Sequence, residues 1–447
     1  MAMDEETPLV DDAVNSSTQT PHHSNSNKPI INYKRDVHIL SWAFLLIFLA
    51  YGAAQNLEST INTEGDLGTI SLGILYLSFT FFSVIASVVV GNLGTKNALI
   101  LGTTGYWLFI AANLKPTWYT MVPASLYLGF TASIIWVAQG TYITSTARGH
   151  AIAYDLLEGT VIGKFNGEFW GMFASHQLVG NLITLALLRG GKEGSTSGTT
   201  PLFIVFLFTM TVGTILMCFL SKRSATEKED EQDSSVSFCS SLVSLFKAAV
   251  ALLLDIRILL VVPLIAYSGF QQAFVWAAFT KYVVQPTLGE TGVGGVMAVY
   301  GAVDAVCSLA AGRLTSGLST ITVIVLSGVF IQAIAFLLLF VNYSMIEGVF
   351  GFLYPFLIAA LLGIGDGVLN TQLSAFIGIL FKHNLEGAFA QLKFWQSLSI
   401  AIVFFMSPHI ALHIILVIML VILFISVAAF LFLILKVERA FSFRTTT

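Results

Sequence analysis

Between Asp36 and Glu438 the chain runs as twelve apolar stretches separated by short polar breaks. They cover residues 37–57, 67–90, 98–113, 119–143, 162–188, 201–220, 256–283, 292–311, 320–341, 349–376, 385–407 and 410–437. Their hydrophobicity runs around every helical face, with neither the strict alternation of a strand nor the single apolar stripe of a soluble helix. Backbone amides in hydrocarbon are satisfied only inside the segment, and a helix of ~20 apolar residues spans a bilayer. The pattern therefore predicts an all-α polytopic membrane protein with twelve transmembrane helices. The first stretch follows a polar tail and lacks a small-residue cleavage site, so it reads as a span and not a cleaved signal peptide.

Composition agrees: 56% of residues are hydrophobic, 10% are charged and the mean hydropathy is +0.83. The distribution of charge adds an orientation. With the N-terminus inside, sixteen Lys and Arg fall on the cytoplasmic face, four on the other (Lys115, Arg189, Lys192 and Lys281), and Lys393 lies within a span. Basic loops are retained in the cytoplasm, so both termini are expected there. The acids concentrate in the N-terminal tail and in a central loop, and both segments are too polar to fold alone. The expected organisation is a cytoplasmic tail (1–36), a six-helix half (37–221), a cytoplasmic linker (222–255), a second six-helix half (256–437) and a short tail (438–447). Cys218, Cys239 and Cys307 have no partner on the outer face, which implies no structural disulfide.

The two halves repeat weakly. Ala50-Tyr51, with Gln55-Asn56 beyond it, parallels Ala266-Tyr267 with Gln271-Gln272. Glu168-Phe169-Trp170 parallels Lys393-Phe394-Trp395, and Tyr76 parallels Tyr300. The offsets are 216, 225 and 224 residues. A parallel repeat about the membrane normal, with a cavity between the halves, is the architecture of the major facilitator superfamily. Gly91 to Lys96 and Gly312 to Gly317 occupy the positions of that superfamily's Gly-x-x-x-Asp-Arg-x-Gly loop, although its acid is missing from both copies.

Trp136-Val137-Ala138-Gln139-Gly140-Thr141-Tyr142 is the most specific signature in the chain. With Gln55-Asn56-Leu57-Glu58, Phe165-Asn166-Gly167-Glu168-Phe169-Trp170-Gly171 and Gly365-Asp366-Gly367, it resembles the uncoordinated-93-like family, a divergent branch of the major facilitator superfamily. The resemblance runs from about Tyr33 to Glu438. It implies a major-facilitator-type fold of two pseudo-symmetric six-helix halves and a role as accessory subunit of a potassium channel or trafficking partner of membrane clients. It implies no enzymatic activity. The alternative reading is a proton-coupled secondary transporter of a small solute.

Candidate chemistry lies in the polar residues within the spans, where a charge costs at least ~2.5–3.5 kcal/mol to insert. Glu168 and Lys393 stand at matched places in the repeat. Either they pair across the cavity, or each reaches separately for the interface. Asp366, between two glycines and followed by Asn370, suits a proton-coupling carboxyl or a structural one, and Asp304 reads as structural. Gln55, Asn56, Gln271 and Gln272 suit a polar solute, or interhelical hydrogen bonds. Trp136, Gln139 and Tyr142 are expected to share a face of the fourth span, joined by Trp170, Trp395 and His176, as packing or as a ligand wall. No phosphate loop, metal cluster, catalytic motif or potassium filter appears, so no cofactor, metal or nucleic-acid partner is expected beside the lipid bilayer. Glu5 to Val10 resembles an acidic dileucine signal with Val10 at its last position, which leaves the plasma membrane and endosomal or vacuolar membranes as destinations.

Overall fold

The computed structural model describes residues 32–61, 67–188, 199–222, 254–342, 349–407 and 409–445. The tail that carries the sorting-like motif, most of the linker with Cys239, and the side chain of Asn56 lie outside the described residues. Twelve helices account for the described chain. The first six are α1 (Tyr33–Ile61), α2 (Leu67–Leu93), α3 (Thr95–Ala112), α4 (Trp118–Ala153), α5 (Glu158–Leu188) and α6 (Thr199–Cys218). The second six begin with α7 (Ile256–Ala273), which continues as a π-helical stretch, Phe274–Val284. They go on through α8 (Gln285–Leu314), α9 (Leu318–Asn342), α10 (Val349–Leu380), α11 (Leu385–Met406) and α12 (Leu412–Thr445). Among the described residues, ten helices are long and apolar enough to cross a membrane.

The packing obeys a rule that is visible only in three dimensions. In the first six helices α2 and α3 lie on α4, while α1 lies on α5 and α6. In the second six, α8 and α9 lie on α10, while α7 lies on α11 and α12. Adding six to each label converts one set into the other. The seam between the sets follows the same relation, with α5 against α8 and α2 against α11. The fold is the all-helical major-facilitator type, in two pseudo-symmetric sets of six.

The α5–α8 contact is the most extensive between helices among the described residues, and its cause is written in α5. Gly159, Gly163, Gly167 and Gly171 recur every fourth residue and so form a groove along one face. A Cβ on Gly167 would stand 2.7 Å from the Cα of Gly312 and 2.9 Å from the carbonyl oxygen of Ser308, so only glycine admits α8 at this distance. Gly94 serves a different end. Its φ of 74° lets the chain reverse between α2 and α3, a backbone conformation that other residues resist. Of the two loop-motif copies, the first is thus a turn and the second is part of the helix seam.

The longest helices overshoot the hydrocarbon. At 1.5 Å per residue the 36-residue α4 is roughly 54 Å long, against a core of about 30 Å. Its C-terminal turns, with Arg148, lie at the end of the bundle where α1 begins, with Gly149 against Tyr33.

Candidate functional site

A cavity of about 110 Å³ lies between the two sets of helices. Its walls show why the repeat matters. On α5 it is faced by Trp170, Phe173, Ala174 and Gln177, and on α11 by Lys393, Gln396, Ser397 and Ile400. Each set has the i, i+3, i+4, i+7 spacing of one helical face, and the two coincide at an offset of 223 residues. Trp170 is therefore the counterpart of Lys393.

The expected match of Glu168 with Lys393 rested on an offset of 225. Two residues on a helix turn the side chain by about 200°, so that alignment places the acid on the wrong face. Glu168 is half-buried and is not on the cavity wall. The acids that share the cavity wall with Lys393 are Asp366 and Asp304.

One wall is polar and comes from the second six helices. Asp366 is its centre, held by three donors. Tyr300 donates to Oδ2 at 2.6 Å, and Asn370 Nδ2 and Gln272 Nε2 donate to Oδ1 at 2.9 and 3.2 Å. Gln272 Nε2 also reaches Asn370 Oδ1 at 3.1 Å, which ties α7 to α10 just before α7 passes into its π-helical stretch. A second acid, Asp304, faces the same space from α8 and accepts one hydrogen bond, from Ser308 at 3.0 Å. The glycines flanking Asp366 make this convergence possible: Gly367 meets the backbone of Asp304, and Gly365 meets the Gln332 side chain on α9.

The facing wall is aromatic and comes from the first six helices. Phe48 is surrounded by Tyr106, Phe173 and Trp136, with ring centroids 4.8, 5.0 and 5.1 Å away. Trp136 stacks on Trp170 at 5.8 Å with 10° between the planes. The indole nitrogens donate to Tyr106 Oη and Ser374 Oγ, both at 3.1 Å, which fixes the two rings in this stack. Lys393 joins the two walls. Its Nζ lies 4.6 Å from the Trp136 centroid and 5.4 Å from that of Trp170, and it donates to Gln396 Oε1 at 2.8 Å.

Gln55 is on the wall as expected, with Nε2 donating to Tyr76 Oη at 3.0 Å. His176 and Trp170 also face the cavity, whereas Trp395 does not. Gln271 is fully buried beside Gln272 but faces away. Trp136, Gln139 and Tyr142 separate. Steps of three residues fall 60° short of a full turn, so i and i+6 lie about 120° apart. Trp136 faces the cavity, Gln139 is buried among helices, and Tyr142 donates to the carbonyl of Ser221 at 3.0 Å. Tyr51, Tyr106, Phe173, Gln177, Trp276 and Gln396 also line the cavity and are not among the site candidates that the sequence offers. For Phe173, Gln177 and Gln396 the signal is the shared helical face on α5 and α11.

At the end where α1 begins, polar contacts hold the two sets together. Arg148 on α4 donates from Nε to Glu158 at 2.9 Å, and from Nη1 and Nη2 to the carbonyls of Lys382 and Gly378 at 3.0 and 2.6 Å. Lys382 Nζ reaches the other oxygen of Glu158 at 2.6 Å. Burial pushes the Glu158 carboxyl up, but the hydrogen bonds from Lys382 and Arg148 outweigh it and hold the group below its ordinary value.

Twelve helices in two six-helix sets around a central polar cavity define a major-facilitator-type membrane protein. Solved structures agree. The proton:xylose symporter XylE superimposes with a TM-score of 0.65 at 11% identity, over 90% of this chain and 94% of that one. The human organic anion transporter MFSD10 gives 0.63 at 12%, over 89% and 100%. Within that class the chain belongs to the UNC-93 family: the model described as "Ion channel regulatory protein UNC-93" matches residues 59–431. UNC93-like protein 3 of Arabidopsis thaliana is 66% identical over 386 residues, which is 86% of this chain and 83% of that protein. The putative potassium channel regulatory protein unc-93 of Caenorhabditis elegans is 30% identical over 88% of this chain and 60% of its own length.

Proposed function

We propose that the protein is a carrier of a small solute whose passage is linked to protons. The observation that supports this is the buried constellation of Asp304, Asp366 and Lys393 around one cavity between pseudo-symmetric halves. Helix packing alone does not call for three ionisable groups at such cost. With two acids facing one base, the site carries a surplus negative charge when both acids are ionised, and a proton taken up by the pair removes it. The units that rock about the cavity are the halves 37–221 and 256–437, joined by the linker 222–255, with both termini cytoplasmic as the basic residues suggest. Plasma membrane and endosomal or vacuolar membranes both suit such a carrier.

Proteoliposomes containing the purified protein alone, with an imposed pH gradient, test this reading. Solute uptake should follow the gradient, and Asp366→Asn should stop it while the protein still inserts and melts normally. Uptake that ignores the gradient in the unaltered protein would remove proton linkage.

A second reading has its own support in the family description and in the name of the Caenorhabditis elegans relative: an accessory subunit for a potassium channel or another membrane client. It has the opposite signature. Asp366→Asn leaves channel current or client delivery intact, and substitutions on lipid-facing helix surfaces disturb it.

A further inference from the structure

The geometry points to a small organic monocation, an ammonium bearing apolar substituents, as the solute of the central cavity. This rests on the carrier reading for transport but not for binding. The site is built for two cations and the chain supplies one. Asp366 and Asp304 both face the space. Of the two basic side chains on its wall, His176 has its Nδ1 at the Phe173 carbonyl, 2.6 Å away, and Lys393 makes no ion-pair contact with a carboxylate among the described residues. Its ammonium instead lies over the indole faces of Trp136 and Trp170, with Gln396 as its hydrogen-bond acceptor.

Lys393 therefore acts as a tethered stand-in for the ligand. A cation above an indole ring is attracted by the ring's negative face, and most strongly where water is excluded. A quaternary ammonium gains more from aromatic faces than from carboxylate oxygens already occupied by donors, as those of Asp366 are. A bare alkali or alkaline-earth ion instead needs a shell of about six to eight free oxygens, which this wall does not offer. When the solute enters, the flexible lysine stem swings its ammonium towards Asp366, and the solute takes the ring faces. Solute and lysine together then balance the two carboxylates, so the cation enters in place of the proton the acids otherwise share.

The test is binding of radiolabelled choline to the purified full-length protein. Its neutral isostere 3,3-dimethylbutan-1-ol and potassium chloride serve as competitors. Choline should bind saturably, and neither competitor should displace it at tenfold excess. Trp136→Leu should weaken binding roughly tenfold, and Trp136→Phe should restore most of it, as expected of a ring-face contact. Lys393→Gln removes the resident cation and should tighten binding by about tenfold, whereas Lys393→Arg should not. Should Lys393→Gln not fold, quenching of tryptophan fluorescence by choline in the unaltered protein, absent with the neutral isostere, reports the same contact. Equal competition by the isostere or by potassium, or weaker binding in a folded Lys393→Gln protein, would overturn the inference. Choline binding without transport leaves this inference standing and removes the carrier reading. Proton-linked uptake of a neutral solute without choline binding does the reverse.

Discussion

Tyr300 gives Asp366 its shortest hydrogen bond, and the two residues come from different helices, α8 and α10. A hydrogen bond to a charged group contributes about 1.5–3 kcal/mol, so Tyr300→Phe should lower stability by roughly that amount. Melting in detergent micelles measures it, and a variant as stable as the parent would show that this bond carries little. Residue identity made this site partly legible. Gln55, Gln272, Asp304, Asp366, Asn370, Trp136 and Lys393 stand out as polar or aromatic groups in apolar helices, and the cavity gathers them. Glu168 stands out equally and lies elsewhere, because its place in a sequence alignment carries no information about the direction of its side chain.

Among the elements, α5 combines a glycine groove facing α8 with a cavity face that adjoins it on the same helix. Gly163, Gly167 and Gly171 admit α8, while Trp170, Phe173 and Gln177 line the space. Gly167→Leu should therefore push the two halves apart and cost more than about 3 kcal/mol, beyond ordinary overpacking, since the clash is with backbone. Gly94→Ala meets open space and bears only the strain of φ 74° with ψ 151°, a region essentially confined to glycine, about 1–3 kcal/mol. Comparing the two melting shifts tests whether the seam or the turn governs stability, and equal shifts would contradict this account. Four glycines at intervals of four are visible in the sequence, but which helix fills the groove is decided only by packing.

For the whole molecule, the contacts among Arg148, Glu158, Lys382 and Gly378 hold the two sets of helices together at the end where α1 begins. Glu158 is held below its ordinary value, so the latch is complete at neutral pH. It is lost only as pH falls through that lowered value, below the ordinary carboxylate range. Spin labels at Ile152 and His383, both exposed near this end, should report a short distance at pH 7. Acidification below that range should lengthen it, and Glu158→Gln should lengthen it at pH 7. An unchanged distance in both would mean that apolar packing alone closes this end. Orientation is tested separately by impermeant labelling of cysteines placed at Lys228, Arg444 and Lys192. The first two should react only from the cytoplasmic side and the third only from the other.

Hydropathy alone determined that this chain forms membrane helices, because lipid offers backbone amides no other partner and each helix satisfies its own. The number of helices and their grouping by six follow from the same local rule and from the weak repeat. Tertiary structure decided which face of each helix meets the cavity. Apolar helices in a membrane protein bury hydrophobic residues on every side, so periodicity does not distinguish a face turned to lipid from one turned inward. That is why Trp170, and not Glu168, proved to be the counterpart of Lys393. It is also why Trp136, Gln139 and Tyr142, close together in the sequence signature, face the cavity, the helix core and the Ser221 carbonyl just past α6 in turn. Helix rotation, set by the glycine seam between α5 and α8 and by contacts hundreds of residues apart, has no local signal for the sequence to carry.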